Sequence, residues 1–484
     1  NGDYNTIASN PVSYISWFGV AGPHDVNVPA NWMAARETAL FANNASWVEE
    51  NNILDQDPQL ATVALSTAES VELAIKLRKW YSVPDETRTE DMSGIMFGDF
   101  NPNTIPGIGT EDGDGITKFS DLIEDFSIAS SFTSNIDGYA IGALHWTNQI
   151  DSYDSAQALT DIKNAYGVNT GDIIRIPSGP SNAGLLETTI NNDKDANGDR
   201  LNPNRIYLLE PGLHFMFSAI NVTNDTGTIK IHGSTDGKKP VVVPYVNNGA
   251  APGSSKINSS LELKNLHIQG RNNEGGTTGG YFFEVSGNDR SIHVEDCLVE
   301  FPARFIKAQA VPQGLTMTFK NNYFRDMFVK GQQWAGNVVD AKGVPIESFI
   351  FENNTVSNAG CPVLLQNQVV KYALINHNTF VNTSTFWNLN PYFYEAYFTN
   401  NLFYNVNMMG EDYNYLKSNP GEVSFPIMAF APISLDGNAA TAAIPADMLN
   451  AAGDALVAPY DDVANYKIYV ADNIYHNESS LDSY

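Results

Sequence analysis

Basic residues are scarce in this chain. Lysine and arginine together number 27, against 55 aspartates and glutamates, so the formal net charge over 484 residues is −28. A charge of this sign repels nucleic acids and anionic membranes at long range, so the composition argues against both as partners. Low lysine and arginine with abundant Asn, Asp, Gly, Ser and Thr are typical of a secreted or cell-surface protein, in which bound cations would offset the charge.

Cysteines and long apolar runs are also rare. The only cysteines are Cys297 and Cys361, which permit at most one disulfide and have no zinc-type spacing. No apolar run reaches the roughly 18 residues of a membrane-spanning helix, so the sequence predicts no such span. The chain begins at Asn1 without a charged, apolar leader, which predicts a mature product or a fragment.

One octet recurs through the second half of the chain. Each copy has an apolar first residue, a polar or turn-forming third residue, an apolar fifth or sixth residue and usually Asn, Asp or Gly at the end. The copies are LKNLHIQG (263–270), VEDCLVEF (294–301), FKNNYFRD (319–326), FENNTVSN (351–358), INHNTFVN (375–382), FTNNLFYN (398–405) and VADNIYHN (470–477). They begin 31, 25, 32, 24, 23 and 72 residues apart. The last interval would hold about three more units, or one unit with a long insertion.

The octets predict strands. β-branched and aromatic residues alternate and end on Asn and Gly turns, whereas leucine ladders and paired helices are missing. Short strands that repeat in this way stack in parallel as a β-helix, with coils roughly 4.8 Å apart. Asn tolerates the left-handed backbone of a tight corner, so Asn353 and Asn354 are predicted to mark a corner between two sheets. Because the coils separate Cys297 from Cys361, two buried thiols are expected.

Residues from about 168 to 477 resemble the right-handed parallel β-helix of the pectin-lyase-like superfamily. The resemblance rests on the octets, on GDIIRIPSG at 171–179 and on RIYLLEPG at 205–212. Within the superfamily, the chain is similar to pectate-lyase-like surface proteins that Bacteroidota carry near glycan-utilisation genes. The resemblance implies an all-β solenoid with helical capping segments, a polysaccharide ligand and, as further partners, other surface proteins of a glycan-uptake system.

The chain divides into two predicted regions. Residues 1–153 are a mixed helix and loop region that resembles a β-helix terminal cap, with helices expected at 28–41 and 60–81. Residues 154–484 are the β-helix, with an N-terminal capping helix at 155–167 and an insertion at about 406–460. We expect residues 1–153 to pack on the end of a β-helix whose last coils lie near residue 484. The alternatives are a tandem array cut at an arbitrary place, segments joined out of genomic order, or a separate domain.

A candidate calcium loop lies at residues 193–204. Asp193, Asp195 and Asn197 occupy the first, third and fifth positions of an EF-hand-type loop, with Gly at the sixth and Asp199 at the seventh. The twelfth position holds Asn204 instead of the bidentate Glu, and the sequence suggests no flanking helices. A solvated Asx-rich turn is the alternative.

Candidate catalytic residues follow from the resemblance. β-helix polysaccharide lyases use a Lys or Arg base beside a uronate carboxylate whose charge a cation neutralises. The residues that could take part here are Arg304, Lys307, Arg325, Lys330 and Asp340. The Asp-His tetrad of pectate lyases and the paired-aspartate and Gly-His-Gly segments of polygalacturonases are missing. Surface ion pairs and corner donors are therefore the alternative roles.

Aromatic residues at 385–398 suggest contact with a ligand. Trp387, Tyr392 and Tyr394 are predicted to stack on sugar rings, because alternate residues of a strand face outward. The alternative is that these rings fill the core or support the insertion. Two functions remain open: a secreted or cell-surface β-helix that binds polysaccharide or serves as an extracellular structural module, and a polysaccharide lyase or glycosidase acting on a parallel-sheet groove.

Overall fold

The computed structural model describes residues 173–476 with internal gaps, and four short strands nearer the N-terminus. The gaps are at 224–226, 236–237, 278–279, 310, 312, 328, 330–334, 366–367, 384–391, 407–432 and 434–442. The helices predicted at 28–41 and 155–167 lie outside the described residues.

All but two of the described strands form three parallel sheets. The first sheet contains β1 (Trp47–Glu50), β5 (Ile173–Ile176), β6 (Ile206–Leu209), β9 (Thr228–Gly233), β12 (Ser260–Lys264), β15 (Ser291–Glu295), β18 (Leu315–Lys320), β21 (Ile346–Glu352), β24 (Val369–Asn376), β26 (Tyr392–Thr399) and β28 (Lys467–Ala471). The second sheet contains β2 (Ile53–Leu54), β7 (Leu213–Met216), β10 (Val241–Pro244), β13 (His267–Gln269), β16 (Leu298–Glu300), β19 (Tyr323–Met327), β22 (Thr355–Ala359), β25 (Thr379–Thr383), β27 (Leu402–Val406) and β29 (Ile474–His476).

The third sheet is shorter. It contains β8 (Asn221–Val222), β11 (Ser255–Ile257), β14 (Phe283–Val285), β17 (Arg304–Ala308), β20 (Asn337–Asp340) and β23 (Val363–Leu364). Along the chain, a strand of the first sheet is followed by one of the second and, in most coils, one of the third. Each strand pairs with the equivalent strand of the next coil. The predicted all-β parallel β-helix is thus confirmed.

The inside of the coils is apolar and stacked. The inward side chains of the described coils from residue 176 onward form one large buried cluster. Phe351 and Phe380 stack with ring centroids 6.0 Å apart, and Phe380 and Phe403 stack at 5.2 Å with their planes only 5° apart. Phe380 and Phe403 occupy equivalent positions of successive coils and pack like on like along the axis, whereas Phe351 and Phe380 join the first and second sheets across the core.

The octets build the corner between the first and second sheets. Their third residues all have left-handed backbone with φ from 52° to 60°: Asn265, Asp296, Asn321, Asn353, His377, Asn400 and Asp472. Asn and Asp accept this conformation because their short polar side chains can hydrogen-bond locally. The predicted corner role of Asn353 and Asn354 is confirmed.

The fourth octet residues form a buried asparagine ladder. Its members are Asn322, Asn354, Asn378, Asn401 and Asn473, all 0% exposed. Asn378 is representative: its Nδ2 donates to Asn401 Oδ1 at 3.0 Å and to the Phe351 carbonyl at 2.6 Å. Its Oδ1 accepts from the backbone N–H and from Nδ2 of Asn354, at 2.8 and 3.1 Å. The amide therefore has a partner for both its donor and its acceptor groups, as a buried amide requires.

Cys297 occupies the rung before Asn322, and both it and Cys361 are buried free thiols, as expected. The thiol of Cys297 is desolvated by burial, which raises its pKa to about 12. Cys297 therefore acts as a small buried side chain at the end of the ladder.

The N-terminal strands extend the opposite end of the solenoid. β1 pairs with β28, placing Trp47 opposite Ile468, and β2 pairs with β29, placing Ile53 opposite Ile474. Residues 47–54 precede the first coil by more than 100 residues in the sequence, but in space they lie next to the last coil. This arrangement is in line with the expected packing of the N-terminal region, while the boundary at residue 153 stays a prediction.

Two further elements differ from the sequence expectations. Ala61–Thr62, inside the helix predicted at 60–81, form β3 and pair antiparallel with β4 (Phe126–Ser127), so the helix prediction is wrong there. A strand partner from elsewhere in the chain overrides local helix propensity. Helix α1 (Leu185–Asn192) was not expected; it buries Leu186 and Ile190 against the first coils.

The remaining features are short. Three 3-10 turns lie at Pro180–Asn182, Ala446–Met448 and Val463–Asn465. β26 pairs directly with β28, and β27 with β29, so the 72-residue interval contributes one coil with a long excursion. No helix within the described residues is long and apolar enough to cross a membrane.

Candidate functional site

The candidate site lies on the outer face of the third sheet. Lys307 on β17 is in register with Glu284 on β14 and Asp340 on β20. Its neighbour Ile306 points into the core and is 0% exposed. Because side chains alternate along a strand, Lys307 faces away from the core. The parallel stack thus places charged residues from three coils in one row.

Tyr281, just before β14, connects this row. Its hydroxyl donates to the Asp340 carboxylate, which lies two coils further along the axis. The Arg304 guanidinium is 5.4 Å and the Lys307 ammonium 5.2 Å from the centroid of the Tyr281 ring, within the range of cation–π contacts. We call Tyr281, Arg304, Lys307 and Asp340 the Tyr281 cluster. Of the five candidate catalytic residues predicted from the sequence, it unites three.

Burial and the neighbouring carboxylate determine the protonation state of the Tyr281 hydroxyl. Burial, followed by the charge and the hydrogen bond of Asp340, raises the pKa of Tyr281, so the phenol remains protonated at neutral pH. Asp340 is 5% exposed and also accepts the backbone N–H of Lys342 at 3.0 Å. Tyr281, Arg304 and Lys307 are partly exposed. The cluster therefore presents two cations and the Tyr281 ring at the surface, with the buried Asp340 carboxylate holding the Tyr281 hydroxyl.

Arg325 lies in a different environment. It forms a buried ion pair with Glu300 on the outer face of the second sheet, and His267 Nε2 is 2.5 Å from the other Glu300 oxygen. Burial by itself would raise the pKa of Glu300, but Arg325 and His267 outweigh burial and lower it. Arg325 is thus held in a structural pair, away from the Tyr281 cluster. Lys330 lies outside the described residues.

Asp326, beside Arg325, ends a second ladder of side chains. Nδ2 of Asn405 donates to Asn382, that of Asn382 to Asn358, and that of Asn358 to Asp326 Oδ1, at 3.2, 3.3 and 3.1 Å. Asp326 is 1% exposed, and its Oδ2 has no hydrogen-bond partner among the residues that the structure describes. Burial raises the pKa of Asp326 to about 7, although Arg325 acts to lower it. A carboxyl that titrates near neutrality is thus built into the fold.

The predicted calcium loop follows helix α1 directly, so the expectation that no helix flanks it is wrong on its N-terminal side. The Asp193 carboxylate is 6% exposed and is held by Arg200, Arg205 and the Tyr207 hydroxyl. Two arginines already neutralise this carboxylate, so Asp193 does not fit the role of a calcium ligand.

Asp195 in the same loop makes an Asx turn. Its Oδ1 accepts the backbone N–H groups of Asn197 and Asp199 at 2.8 and 3.0 Å. No group of three or more His, Cys, Asp or Glu residues is arranged to hold a metal within the described part of the chain. Calcium binding at Asp195, Asn197 and Asp199 stays a prediction.

The predicted aromatic ligand residues lie near the long excursion. Tyr394 packs edge-on against Tyr460, with centroids 4.7 Å apart, and against Tyr466 at 5.2 Å. Tyr392 is partly buried against the core. These contacts resemble the alternative in which the rings support the insertion. Trp387 lies outside the described residues, and sugar stacking by all three stays a prediction.

Sequence reasoning missed Tyr281. The residue lies 59 positions from its partner Asp340, and no motif surrounds it. Its contacts depend on the exact number of residues in two coils, which differ in length. The signal that could have found it is a register alignment of the third-sheet strands, but these strands carry no repeated octet.

The three parallel sheets and their stacked corners define a parallel β-helix protein with a polar cluster on its shortest sheet. Comparison of the chain with protein-family models, curated proteins and solved structures finds no match. The function must therefore be argued from the residues themselves.

Proposed function

We propose that this chain is a secreted or cell-surface β-helix protein that binds polysaccharide. The observation that carries the proposal is the Tyr281 cluster, in which two cations and a carboxylate surround a partly exposed tyrosine. Membership of the pectin-lyase-like superfamily, and kinship with the surface proteins of Bacteroidota glycan-utilisation loci, belong to the same proposal. Other surface proteins of a glycan-uptake system are the proposed protein partners.

The chemistry of the cluster suits a sugar ligand. Each sugar hydroxyl both donates and accepts a hydrogen bond, so its site needs donors and acceptors close together. Arg304 and Lys307 supply charged donors, and Glu284, partly exposed in the same row, supplies an acceptor. The two cations also offset the carboxylates of Glu284 and Asp340 in this row, on a chain whose net charge is −28. A carboxylate on the glycan can therefore pair with Arg304 or Lys307.

The stacked coils give the site its length. Glu284, Lys307 and Asp340 come from three successive strands of the third sheet, and each coil adds roughly 4.8 Å along the axis. A chain ligand lying along the axis would therefore meet polar groups from several coils. A role as a purely structural module predicts no binding at this row.

One observation favours the second candidate, a polysaccharide lyase. Lys307 and Arg304 both contact the Tyr281 ring. Lys307 in its neutral form would be the base, Arg304 would neutralise the uronate carboxylate and the Tyr281 hydroxyl would be the acid, so the three roles share one cluster. Such a set can remove the proton next to a uronate carboxylate and protonate the leaving oxygen. Calcium at Asp195, Asn197 and Asp199 is proposed as a brace for that loop and takes no part in either function.

The test is binding to a panel of acidic and neutral polysaccharides by affinity electrophoresis and calorimetry. We expect Lys307→Ala to weaken binding of the preferred glycan by about tenfold or more, because a charged hydrogen bond contributes roughly 1.5–3 kcal/mol. Lys239→Ala is the matched control, since Lys239 pairs with Asp296 at a corner away from the third sheet. Lys239→Ala should bind like the native protein.

The same panel separates the two functions. If the native protein forms unsaturated product, read by its absorbance, and both Lys307→Ala and Tyr281→Phe lose this activity, the lyase function is supported over binding alone. No binding to any glycan, or equal binding by Lys307→Ala and the native protein, would contradict a polysaccharide site at the Tyr281 cluster.

A further inference from the structure

Large apolar side chains line part of the outer face of the first sheet. Ile350, Leu374, Tyr397 and Tyr469 are direct neighbours on β21, β24, β26 and β28, and all are partly exposed. Tyr372 lies on the same face, two positions before Leu374. The residue directly before each of the four neighbours points inward and is 0–1% exposed. These inward residues are Phe349, Ala373, Ala396 and Ile468. We call the five outward residues the tyrosine stripe.

The rings of the stripe contact each other across the coils. The centroids of Tyr372 and Tyr397 are 6.1 Å apart, and those of Tyr397 and Tyr469 are 6.3 Å apart. Neighbouring coils are separated by roughly 4.8 Å, so the rings follow the β-helix axis. The stripe is thus a continuous aromatic strip on a sheet, with room for a chain laid along it.

The stripe is confined to the last coils. In the preceding coils, the same row contains Glu262, His293 and Thr318, in direct register with Ile350. The row faces outward in all these coils, so core packing does not select its residue types in any of them. Outward aromatic residues at one end only are therefore not explained by core packing, and an exposed apolar strip of this kind marks a binding surface.

Acidic groups border the stripe. Glu395 accepts the Tyr397 hydroxyl at 2.8 Å and pairs with Lys467 at 3.3 Å. Glu395 and Glu352 both lie close enough to raise the pKa of Tyr372, after the larger effect of burial. Glu352 is likewise paired, with Lys320 at 3.2 Å. Both carboxylates can still accept hydrogen bonds from hydroxyl groups.

We propose that the tyrosine stripe is a second glycan site, which binds a neutral polysaccharide chain along the β-helix axis. The apolar faces of successive sugar rings stack on the tyrosines, and their equatorial hydroxyls donate to Glu395 and Glu352. Stacking on tyrosine needs no charge on the ligand, and the lysines beside the stripe are already paired with Glu395 and Glu352, which favours a neutral chain over a uronate chain. The stripe lies on a different sheet from the Tyr281 cluster, so each site can be tested independently of the other.

The test is binding of neutral glucans, mannans, galactans and xylans by affinity electrophoresis, with circular dichroism as a check on folding. Removal of one stacking ring should weaken binding by about tenfold. We expect this result for Tyr397→Ala, whereas Tyr397→Phe keeps the ring and should retain most of the affinity. Thr318→Ala, in the same row but on a polar coil, is the control and should bind like the native protein.

Three outcomes would overturn the proposal. They are no binding to any neutral polysaccharide, equal binding by Tyr397→Ala and the native protein, and self-association of the glycan-free protein that Tyr397→Ala abolishes. The last outcome, read by analytical ultracentrifugation, would assign the stripe to a second copy of the chain. Loss of binding only in Lys307→Ala would assign all glycan binding to the Tyr281 cluster.

Discussion

Replacing Asp326 with Asn should stabilise the protein above neutral pH. Asp326 is fully enclosed at the end of the ladder from Asn405, and burial raises its pKa to about 7. The folded protein therefore binds this proton more tightly than the unfolded chain does, and stability falls as the pH rises from about 4 to about 7. Asn has the shape of the protonated carboxyl and does not titrate.

The magnitude follows from the two pKa values. The difference between about 7 and the ordinary 3.8 corresponds to roughly 4 kcal/mol, because each pKa unit is worth about 1.4 kcal/mol. Asp326→Asn should thus match the native protein near pH 4 and exceed it by up to about 4 kcal/mol in free energy of unfolding at pH 8. The advantage should grow through the interval and then level off.

Urea unfolding at half-unit steps from pH 4 to pH 8, followed by circular dichroism, measures this difference directly. Asp296→Asn is the matched control. Asp296 also has left-handed backbone, at the corner between the first and second sheets, but its side chain is 58% exposed. Its substitution should change stability by less than about 1 kcal/mol at any pH. A difference that is flat with pH, or a less stable Asp326→Asn at pH 8, would show that ion pairing with Arg325 outweighs burial.

Two further substitutions test the structural roles of buried polar groups. Asn378→Ala removes four hydrogen bonds at the middle of the buried ladder and should cost about 3–5 kcal/mol in urea unfolding, since each stranded group costs roughly 1–3 kcal/mol. Asn288→Ala, at an exposed position, should cost less than about 0.5 kcal/mol. Equal effects would refute the ladder's contribution. Asp193→Asn should cost about 3–5 kcal/mol because it removes the carboxylate that pairs with Arg200 and Arg205, whose side chains are 5% and 18% exposed. The cost should be equal in calcium and in EDTA; a cost seen only in calcium would make Asp193 a metal ligand.

The corners were predictable and the clusters were not. Asn353 and Asn354 were predictable because corner backbone and ladder bonding select Asn in every coil, so the same letters recur at the same octet positions. The two-residue strand at Ala61–Thr62 was missed because its pairing partner lies more than 60 residues away. Helix α1 was missed for a similar reason, since its apolar face is defined by the coils it covers.

The candidate site shows the same division. Arg304, Lys307 and Asp340 could be proposed from residue type and from the family resemblance, but nothing in the sequence separated them from Arg325. The structure does so by register: β17 and β20 belong to the third sheet, whereas Arg325 lies on β19 of the second sheet and pairs with Glu300. Tyr281 joins the first three only because two coils of different length bring it opposite Asp340.

The sequence by itself determined the parallel β-helix, the sheet corners and the buried thiols, because these depend on alternation and backbone preference within a few residues. Only the tertiary structure decided which side chains meet. Contacts such as Tyr281 with Asp340, or Tyr397 with Tyr469, join residues 59 and 72 positions apart, which stacking brings within one or two coil spacings. Stacking depends on the summed length of every loop between the coils, and loop lengths follow no local pattern.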